Sequence, residues 1–380
     1  MKYIYKQYLD DKKYLIKHNY LKDQFSDYKK ILKKISRVVK FGDFTLGKEV
    51  EFFEKNFKKI QKSKYAIGVG SGTDAIMLSL IALGIKKGDE VITSPFTFYA
   101  TIGAIVASGA KPVFADIAQD FNIDPKEIEK KITSKTKAIV VVHWTGRICD
   151  MKEIKNIAKK NNLKIVEDAC HAINAFSDGV YAGNFGDFGC FSMHPLKNLN
   201  VWGDGGVVVT QNKKLADKIF LLRNHGLISR NVNKIFGYNS RLDTIQAVVA
   251  NHLLKKINLI TNKRISNATY LDKSLKKISQ ITIPKRKKKL REVFHIYSIL
   301  VKKRNALVSY LKKNKIDAKI HYPEPMHLQP ASKFLNYKRG SFPKTEYICK
   351  NIISLPVHEF ITKKNLDFII KKIKEFYLHD

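Results

Sequence analysis

Short apolar runs alternate with segments of helical periodicity through the first two thirds of the chain. Residues 138–142 and 164–166 are apolar runs typical of buried strands, and the segment Met151–Lys160 between them has the spacing of an amphipathic helix. Strands that are connected through helices predict a mostly parallel sheet covered on both faces. The fold class is therefore expected to be α/β.

The pattern changes beyond residue 251. Long helical segments rich in lysine and isoleucine lead to the basic run 285–289, and an alternating apolar stretch follows at 294–301. The 380 residues suffice for one large domain with a smaller one. We find no internal repeat in the sequence.

Lys197 is the first candidate for chemistry. It stands in the segment 191–198, where Pro195 predicts a tight turn beside a buried strand, and a glycine cluster follows at 203–206. An amine held in a pocket can have its pKa lowered enough to attack a carbonyl. The alternative is an ordinary solvated lysine, since this residue type is abundant in the chain.

A short apolar strand ends in two acids, Glu167 and Asp168, with His171 three residues later. Buried strands deliver functional side chains at their carboxyl ends, where the sheet opens into a crevice. A buried carboxylate there requires a cationic partner, such as a protonated pyridine nitrogen. Pyridoxal phosphate needs a lysine for its aldehyde and an acid for its ring nitrogen, and Lys197 and Asp168 fit those roles. Taken alone, Asp168 is better explained as a helix N-cap.

The glycine-rich segment 67–75 is a candidate phosphate cradle. A strand end runs into an apolar helix there, and small residues let the backbone approach an anion near the helix N-terminus. A dinucleotide-binding Gly-x-Gly-x-x-Gly motif would require glycine where Thr73 stands, and no Gly-Lys-Ser/Thr follows for a nucleotide-binding P-loop. A plain tight turn remains the alternative.

The phosphate cradle, the ring acid and the lysine occur together with other motifs in a family-specific order. The chain closely resembles the DegT/DnrJ/EryC1/StrS family of sugar aminotransferases, a branch of the fold-type I pyridoxal-phosphate enzymes. The resemblance runs from about residue 44 to the C-terminal region and rests on seven motifs, at 70–75, 94–98, 167–169, 191–198, 203–206, 223–226 and 237–243.

The resemblance implies an aspartate-aminotransferase-like fold, with a mostly parallel seven-stranded sheet in a large domain and a smaller C-terminal α/β domain. By analogy with the family, we expect three parts of the chain. These are an N-terminal segment over 1–43 that packs on the subunit, a large cofactor-binding domain over 44–250, and a small domain over 251–380.

The same resemblance implies roles for residues around the cofactor ring. Lys197 would form the internal aldimine and then move a proton between the substrate carbon and the cofactor, while Asp168 would keep the ring nitrogen protonated. His171 is expected near the phenolic oxygen, although an ordinary histidine on a helix is an equal alternative. Phe98 would lie against the ring face, unless it is a core aromatic.

Further residues are implied around the cofactor's phosphate. Gly72, Thr73 and Ser192 would hold this group, and Asn239 is expected to reach it from the neighbouring subunit. A site shared in this way makes a homodimer the functional unit.

The family also contains members with histidine in place of the lysine, and these resemble dehydratases. This chain keeps Lys197, so aminotransfer is the better interpretation. L-glutamate is the donor that the family implies, and a keto sugar is the acceptor. A lysine-dependent dehydratase or epimerase remains an alternative within the enzyme class.

The segment 321–330 bears on the sugar. Its prolines stiffen an extended loop that is suited to the wall of a cleft, and it looks like members that aminate the 3-keto carbon of a nucleotide-linked sugar. In those enzymes the residues matching His321, Tyr322 and Arg241 contact the sugar. Amination at C4 is the alternative, and a proline-rich connector is another. Arg147 could pair with a substrate carboxylate or phosphate, or be a surface-loop arginine.

The formal charge of +36 suggests a nucleic-acid partner, with 285–289 as a phosphate-binding patch. The lysines are nevertheless spread through every segment, and no zinc-finger or recognition-helix motif is found, so we expect no nucleic-acid partner. A positive field would still steer an anionic nucleotide sugar. A regulatory or DNA-binding protein on the same fold is the alternative from another class, although a regulator has no need to keep the lysine, the acid and the cradle.

The remaining features concern metals and location. The four cysteines, Cys149, Cys170, Cys190 and Cys349, form no Cys-x-x-Cys pair, so we expect reduced thiols and no metal. Charged residues up to Lys13 stand where a signal peptide would need an apolar core, and no run is long enough to cross a membrane. We therefore expect a cytoplasmic protein without a membrane partner.

Overall fold

The structure is a computed structural model that describes residues 13–378. The expectation built on charged residues before Lys13 therefore lies outside the described residues. The α-helices are α1 (Leu21–Gln24), α2 (Tyr28–Phe41), α3 (Lys48–Gln61), α4 (Gly72–Ala82), α5 (Tyr99–Ala107), α6 (Pro125–Glu129), α7 (Met151–Lys160), α8 (Lys213–Leu222), α9 (Thr244–Leu254), α10 (Ile257–Leu275), α11 (Arg304–Lys313), α12 (Pro343–Asn351) and α13 (Lys363–Leu378).

Short 3-10 helices occur at Trp144–Gly146, Met326–Leu328 and Pro330–Leu335. The strands are β1 (Tyr65–Val69), β2 (Glu90–Thr93), β3 (Lys111–Phe114), β4 (Thr136–Val142), β5 (Lys164–Asp168), β6 (Phe176–Ser177), β7 (Val180–Tyr181), β8 (Phe188–Ser192), β9 (Gly206–Thr210), β10 (Leu227–Ser229), β11 (Val232–Asn233), β12 (Ile281–Thr282), β13 (Leu290–Arg291), β14 (Tyr297–Val301) and β15 (Ile352–Leu355).

The central sheet has seven strands in the order β1-β9-β8-β5-β4-β2-β3. From β8 to β3 every pairing is parallel, and β9 runs antiparallel to both of its neighbours. The predicted mostly parallel sheet is therefore confirmed. Each predicted apolar run lies in a strand, and the helix predicted at Met151–Lys160 has those bounds, because the Asp150 side chain accepts the N–H of Glu153 at its start.

Helices cover both faces of the sheet because the strands are apolar on both faces. In β4, Ala138 and Val140 pack in the core that includes residues of α4, α5 and α8. Ile139 and Val141 pack in the opposite core, with residues of α3, α7 and α9. Successive strand residues point to opposite faces, so a continuous apolar run fills two cores at once.

The two cores that flank the central sheet together form the first core of the molecule. A separate second core surrounds the antiparallel sheet β12-β14-β15, which α10, α11 and α13 cover. The N-terminal segment joins this core, because Ile16 is buried in it and forms a bridge to Ile316. The boundary expected near residue 251 falls inside α9, whose buried residues pack in the first core. Among residues 13–378, none of the helices combines the length and apolarity needed to cross a membrane.

Glu167, at the end of β5, is fully buried and makes four hydrogen bonds. One carboxylate oxygen accepts the N–H groups of Phe185 and Gly186, both at 2.7 Å. The other accepts the N–H of Gly183 at 2.7 Å and lies 2.8 Å from His143 Nε2. Since His143 Nδ1 accepts the N–H of Cys149, Nε2 carries the hydrogen and donates. This acid therefore secures the loop before β8.

We predict that Glu167→Gln lowers the free energy of unfolding by on the order of 3 kcal/mol. Both carboxylate oxygens face donors, so the glutamine NH₂ group must oppose a backbone N–H in either orientation. Urea unfolding measures the change, and Glu153→Gln, at an exposed position on α7, is the matched control. An equal loss of unfolding free energy in the two variants would contradict the role of Glu167 as the anchor of this loop.

Candidate active site

A cavity of about 380 Å³ lies between the carboxyl ends of the central strands and the second core. Its walls come from several parts of the chain. In the first core these are the start of α4, the segment around the start of α5, and the ends of β4, β5 and β8 with the loop that follows β8. The N-terminal segment, α10 and segments near β14 and β15 complete the walls. The predicted residues that line it are Gly72, Thr73, Phe98, Asp168, His171, Ser192, Lys197, His321 and Tyr322.

The start of α4 forms one end of the pocket. Ser71 caps the helix, since its side chain accepts the N–H of Asp74, and the N–H groups of Gly72 and Thr73 have no partner within the helix. A Cβ at Gly72 would lie 2.7 Å from Ser192 Cβ and 2.9 Å from Cys170 Sγ. Only glycine leaves this approach open, so the geometry suits an anion at a helix N-terminus.

Asp168 lies at the end of β5 and points into the pocket, with its carboxylate held on two sides. One oxygen accepts the hydroxyl of Thr101 at 2.7 Å, and the other accepts the N–H of Cys170 at 3.2 Å. The Thr101 hydroxyl lies 2.7 Å from that of Thr97, which also lines the pocket. The N-cap alternative is wrong, because a turn and not a helix follows β5.

Lys197 follows β8 on a tight turn, in which its N–H donates to the carbonyl of His194 at 3.1 Å. Burial lowers the pKa of the lysine, and the nearby Cys170 and Asp168 raise it by less. A lowered pKa increases the neutral, nucleophilic fraction of the amine at neutral pH. The solvated-surface alternative is wrong, because the side chain lines the pocket.

His171 is held in one tautomer. Its Nδ1 accepts the N–H of Thr145 at 3.3 Å, so the hydrogen resides on Nε2, which can donate to an oxygen. Burial lowers the pKa of His171 well below its usual value, with smaller contributions from Lys197 and His321, and the ring is neutral at pH 7. The residue lies in a turn, so the helix-histidine alternative is wrong.

Phe98, His321 and Tyr322 form the opposite wall. Phe98 is 48% exposed, so it is not a core aromatic, and its ring centroid lies 6.0 Å from that of Tyr322. His321 Nδ1 lies 3.0 Å from Ser354 Oγ, and burial lowers the pKa of His321 to about 3. Burial also raises the pKa of Tyr322, so both side chains are neutral hydrogen-bonding groups.

Two predicted residues do not line this pocket. Asn239 bridges to Asn224, and Arg241 donates from Nη1 to the side chain of Asn224 at 3.0 Å. Ser240 lies between them and contacts the phosphate cradle at 70–75. Its hydroxyl accepts the N–H of Gly70 and donates to the Asp74 carboxylate. Within one chain, Asn239 and Arg241 therefore do not line the same pocket as His321 and Tyr322.

Arg147 is neither a substrate ligand nor a surface residue. Its side chain is 2% exposed, with Nε 3.6 Å from Asp120 and Nη1 3.6 Å from Glu292, and Nη2 donates to the carbonyl of Lys285. A left-handed backbone at Thr145 turns the chain inward before it. Both interpretations of Arg147 are wrong, because its side chain is buried against the half-buried Asp120 and the buried Glu292. No local sequence pattern indicates these two partners.

Several pocket residues carry no recognisable sequence signal. They are His18 and Tyr20 from the N-terminal segment, Arg264 from α10, His295 from the segment before β14 and His358 from the segment after β15. Only tertiary packing brings them to the lysine. Thr97 and Thr101 could have been found, because they stand four residues apart around the start of a helix that follows a recognised motif.

The residues present fit a phosphorylated pyridine aldehyde. The helix start suits the phosphate, the Asp168 carboxylate suits a protonated ring nitrogen, and the Lys197 amine suits an aldehyde. The neutral His171 can donate from Nε2 to a phenolic oxygen. The cavity volume is within the range of small-molecule sites. The described residues include no group of three or more His, Cys, Asp or Glu side chains that could hold a metal ion.

Residues 26–374 match the DegT/DnrJ/EryC1/StrS aminotransferase family. The chain is 38% identical to a pleiotropic regulatory protein of Geobacillus stearothermophilus, over 94% of this chain and 98% of that protein. It is also 38% identical to the dTDP-3-amino-3,6-dideoxy-alpha-D-galactopyranose transaminase of Aneurinibacillus thermoaerophilus, over 92% and 95% of the two chains.

Solved structures resemble this chain closely. DesV of S. venezuelae, in complex with a ketimine intermediate, superposes with a TM-score of 0.92 at 34% identity, over 95% of this chain and 98% of DesV. A Bacillus subtilis protein, ntda, with bound cofactor pmp, superposes with a TM-score of 0.86 at 33% identity, over 92% and 82% of the two chains.

We predict that Gly72→Ala weakens the binding of pyridoxal phosphate by roughly tenfold, because the added methyl group would overlap Ser192 and Cys170. Titration followed by absorbance measures the affinity. Gly103→Ala is the matched control, since a Cβ there meets no atom within 4 Å. Unchanged affinity in Gly72→Ala would contradict the cradle.

Proposed function

Since this chain belongs to the DegT/DnrJ/EryC1/StrS aminotransferase family, we propose that it moves an amino group from L-glutamate to a nucleotide-linked 3-keto sugar. The enzyme is a transaminase, and its cofactor is pyridoxal 5′-phosphate. The observation that carries the proposal is the meeting of Lys197, Asp168 and the α4 cradle in one pocket. When bound, the cofactor supplies an aldehyde and an electron sink for the chemistry at the substrate carbon.

The phosphate is held at the α4 N-terminus by Gly72, Thr73 and Ser192. Free N–H groups and the helix dipole favour an anion there. Asp168 keeps the ring nitrogen protonated, and the hydroxyl of Thr101 orients its carboxylate at 2.7 Å. Phe98 covers the ring face, and its partly exposed side chain at the pocket mouth supports this role.

Lys197 would hold the cofactor's aldehyde and would carry the proton at the substrate carbon. The amine is the flexible end of a side chain whose backbone is fixed in a turn, so Nζ can move between its two tasks while the peptide stays in place. Burial lowers its pKa, which makes Nζ easier to deprotonate than an ordinary lysine. His171 Nε2 donates to the phenolic oxygen and favours its ionised form.

The sugar is recognised by neutral donors and acceptors. Burial keeps His321 uncharged and Tyr322 protonated, and such groups suit the hydroxyls of a sugar better than a charged acid. The transaminase relative from Aneurinibacillus thermoaerophilus is named for a dTDP-linked 3-amino sugar, which supports a nucleotide-linked substrate aminated at C3. The positive charge of the chain would steer that anion.

Other functions compete with this proposal. A 4-keto sugar is the nearest alternative, and a dehydratase would use the same cofactor. A regulatory role is supported by the name of the Geobacillus stearothermophilus relative. The lysine, the ring acid and the cradle together favour catalysis, since binding DNA would require none of them.

We propose that the functional unit is a homodimer with shared sites. Asn239 and Arg241 lie outside the pocket of their own chain, yet they adjoin the cradle through Ser240. The nearby surface is apolar, with Ile228, Val232 and Phe236 exposed, as expected of a face that a second copy covers. In this arrangement Asn239 reaches the partner's phosphate and Arg241 the partner's sugar.

We predict that the purified enzyme with pyridoxal phosphate shows a visible band that L-glutamate converts to the aminated form of the cofactor. Lys197→Ala should lose the lysine-bound band and reduce the rate of amino transfer by roughly 10³-fold or more. Lys160→Ala, at an exposed position, is the control and should behave as wild type.

The same preparation tests the acceptor. The aminated enzyme should return to its original spectrum with a 3-keto nucleotide sugar, and faster than with the 4-keto isomer. Faster recovery of the original spectrum with the 4-keto isomer would indicate that the enzyme aminates C4 and not C3. A visible band that does not change on addition of glutamate would indicate another amino donor or dehydratase chemistry. The absence of any band after reconstitution with pyridoxal phosphate would refute the enzyme proposal.

We predict that two inactive variants complement each other. Mixed dimers of Lys197→Ala and Asn239→Ala chains contain one site with both residues intact, so statistical mixing should restore roughly a quarter of wild-type activity. Activity is measured after the chains are unfolded together and refolded. The absence of any recovery, with mixed dimers demonstrated by mass spectrometry, would refute the shared site.

A further inference from the structure

The N-terminal segment reaches across the second core to the lysine turn. Leu15 and Ile16 donate their N–H groups to the carbonyl of Lys315, and Asp317 donates to the carbonyl of Ile16. The chain then passes His18, whose N–H donates to the Asp317 side chain, and Tyr20 enters the pocket wall. Tyr20 is thus attached to the small-domain side of the cavity.

The ring of Tyr20 is held from two sides. It stacks on His358 with centroids 4.9 Å apart, and the guanidinium of Arg264 lies 4.9 Å from the ring centroid. Arg264 is in turn paired with Glu359 at 3.0 Å. The ring is 3% exposed, so its position is determined by packing and not by solvent.

The hydroxyl of Tyr20 contacts the backbone of the lysine turn. It donates to the carbonyl of Leu196 at 2.8 Å and lies 3.2 Å from the carbonyl of Lys197. Burial raises the pKa of Tyr20, so the group stays protonated and remains a donor. The turn needs such support, because Leu196 has a φ of 72°, in the left-handed region that disfavours a residue with a Cβ.

A second contact reaches the same carbonyl. Asn200 donates from its side chain to the carbonyl of Lys197 at 2.9 Å and to Gln24 Oε1 at 2.7 Å. Gln24 donates to Glu359, which pairs with Arg264 under Tyr20. The N-terminal segment and the small domain therefore converge on one peptide group.

We propose that Tyr20 is a positioning residue, whose hydroxyl fixes the backbone of Lys197 and couples the small domain to the reactive amine. This inference rests on the proposed role of Lys197. Tyr20 touches neither substrate nor cofactor in this role. It restricts rotation of the turn, so that Nζ returns to the same place after each transfer.

The test compares two substitutions in the full-length enzyme. Tyr20→Phe keeps the ring between His358 and Arg264 and removes only the hydroxyl, whereas Tyr20→Leu removes both. Tyr310→Phe is the matched control, because it removes a tyrosine hydroxyl that donates to Glu375 in the second core, on the C-terminal helix. Amide hydrogen exchange of residues 193–201 is measured without and with pyridoxal phosphate.

We expect the amides of Lys197 and Val201 to exchange roughly fivefold faster in Tyr20→Phe, as for the loss of one hydrogen bond. Covalent capture of pyridoxal phosphate, trapped with borohydride, should slow by a similar factor. The kcat should fall a few-fold while KM for the sugar stays within about twofold, since Tyr20 acts on the amine's placement. Tyr310→Phe should match wild type in each respect.

Two outcomes would overturn the inference. One is wild-type exchange and capture in Tyr20→Phe, with changes confined to Tyr20→Leu, because ring packing alone would then account for the residue. The other is faster exchange with no change in capture or kcat. A wild-type enzyme that fails to capture the cofactor at Lys197 would instead refute the proposed function, and the exchange comparison would still report on Tyr20.

Discussion

The active site depends on a buried carboxylate that is saturated with donors. Neighbouring strand residues point to opposite faces, so the two acids that end β5 necessarily have different surroundings. Glu167 turns into the protein and gathers three backbone N–H groups and the ring of His143. That anchor holds the end of β5, so Asp168 can face the pocket without having to stabilise the fold as well.

Buried histidines make up much of the polar lining of the pocket. Burial lowers the pKa values of His171, His295 and His321, so these rings are neutral hydrogen-bonding groups. Lys197 and Asp168 are the groups on which the cofactor chemistry is proposed to depend. A low-dielectric wall strengthens the interaction of both with a bound ligand. Burial lowers the pKa of Lys197, which favours its nucleophilic form. Burial also lowers the pKa values of the histidines, so they carry no proton that they could release as acids at neutral pH.

The first and second cores meet at this cavity, and the described part of the chain passes between them more than once. The long α10 contributes to both sides, and the N-terminal segment returns along the second core to the lysine turn. The site is therefore assembled from parts of the chain that are distant in sequence, as the contact of Tyr20 with the carbonyl of Leu196 illustrates. Because distant segments meet at this cavity, residues that belong to no recognised sequence motif also line the pocket.

The sequence by itself determined the parallel sheet, the helix Met151–Lys160, the cofactor class and the pocket residues around Lys197 and Asp168, because these follow from local periodicity and from motifs that adjoin strand ends. Only the tertiary structure decided which side chains meet across domains. It buried Arg147 between two acids, brought Tyr20 to the lysine turn, and left Asn239 and Arg241 outside their own chain's pocket. Such contacts join residues far apart in the chain, and no local pattern encodes them.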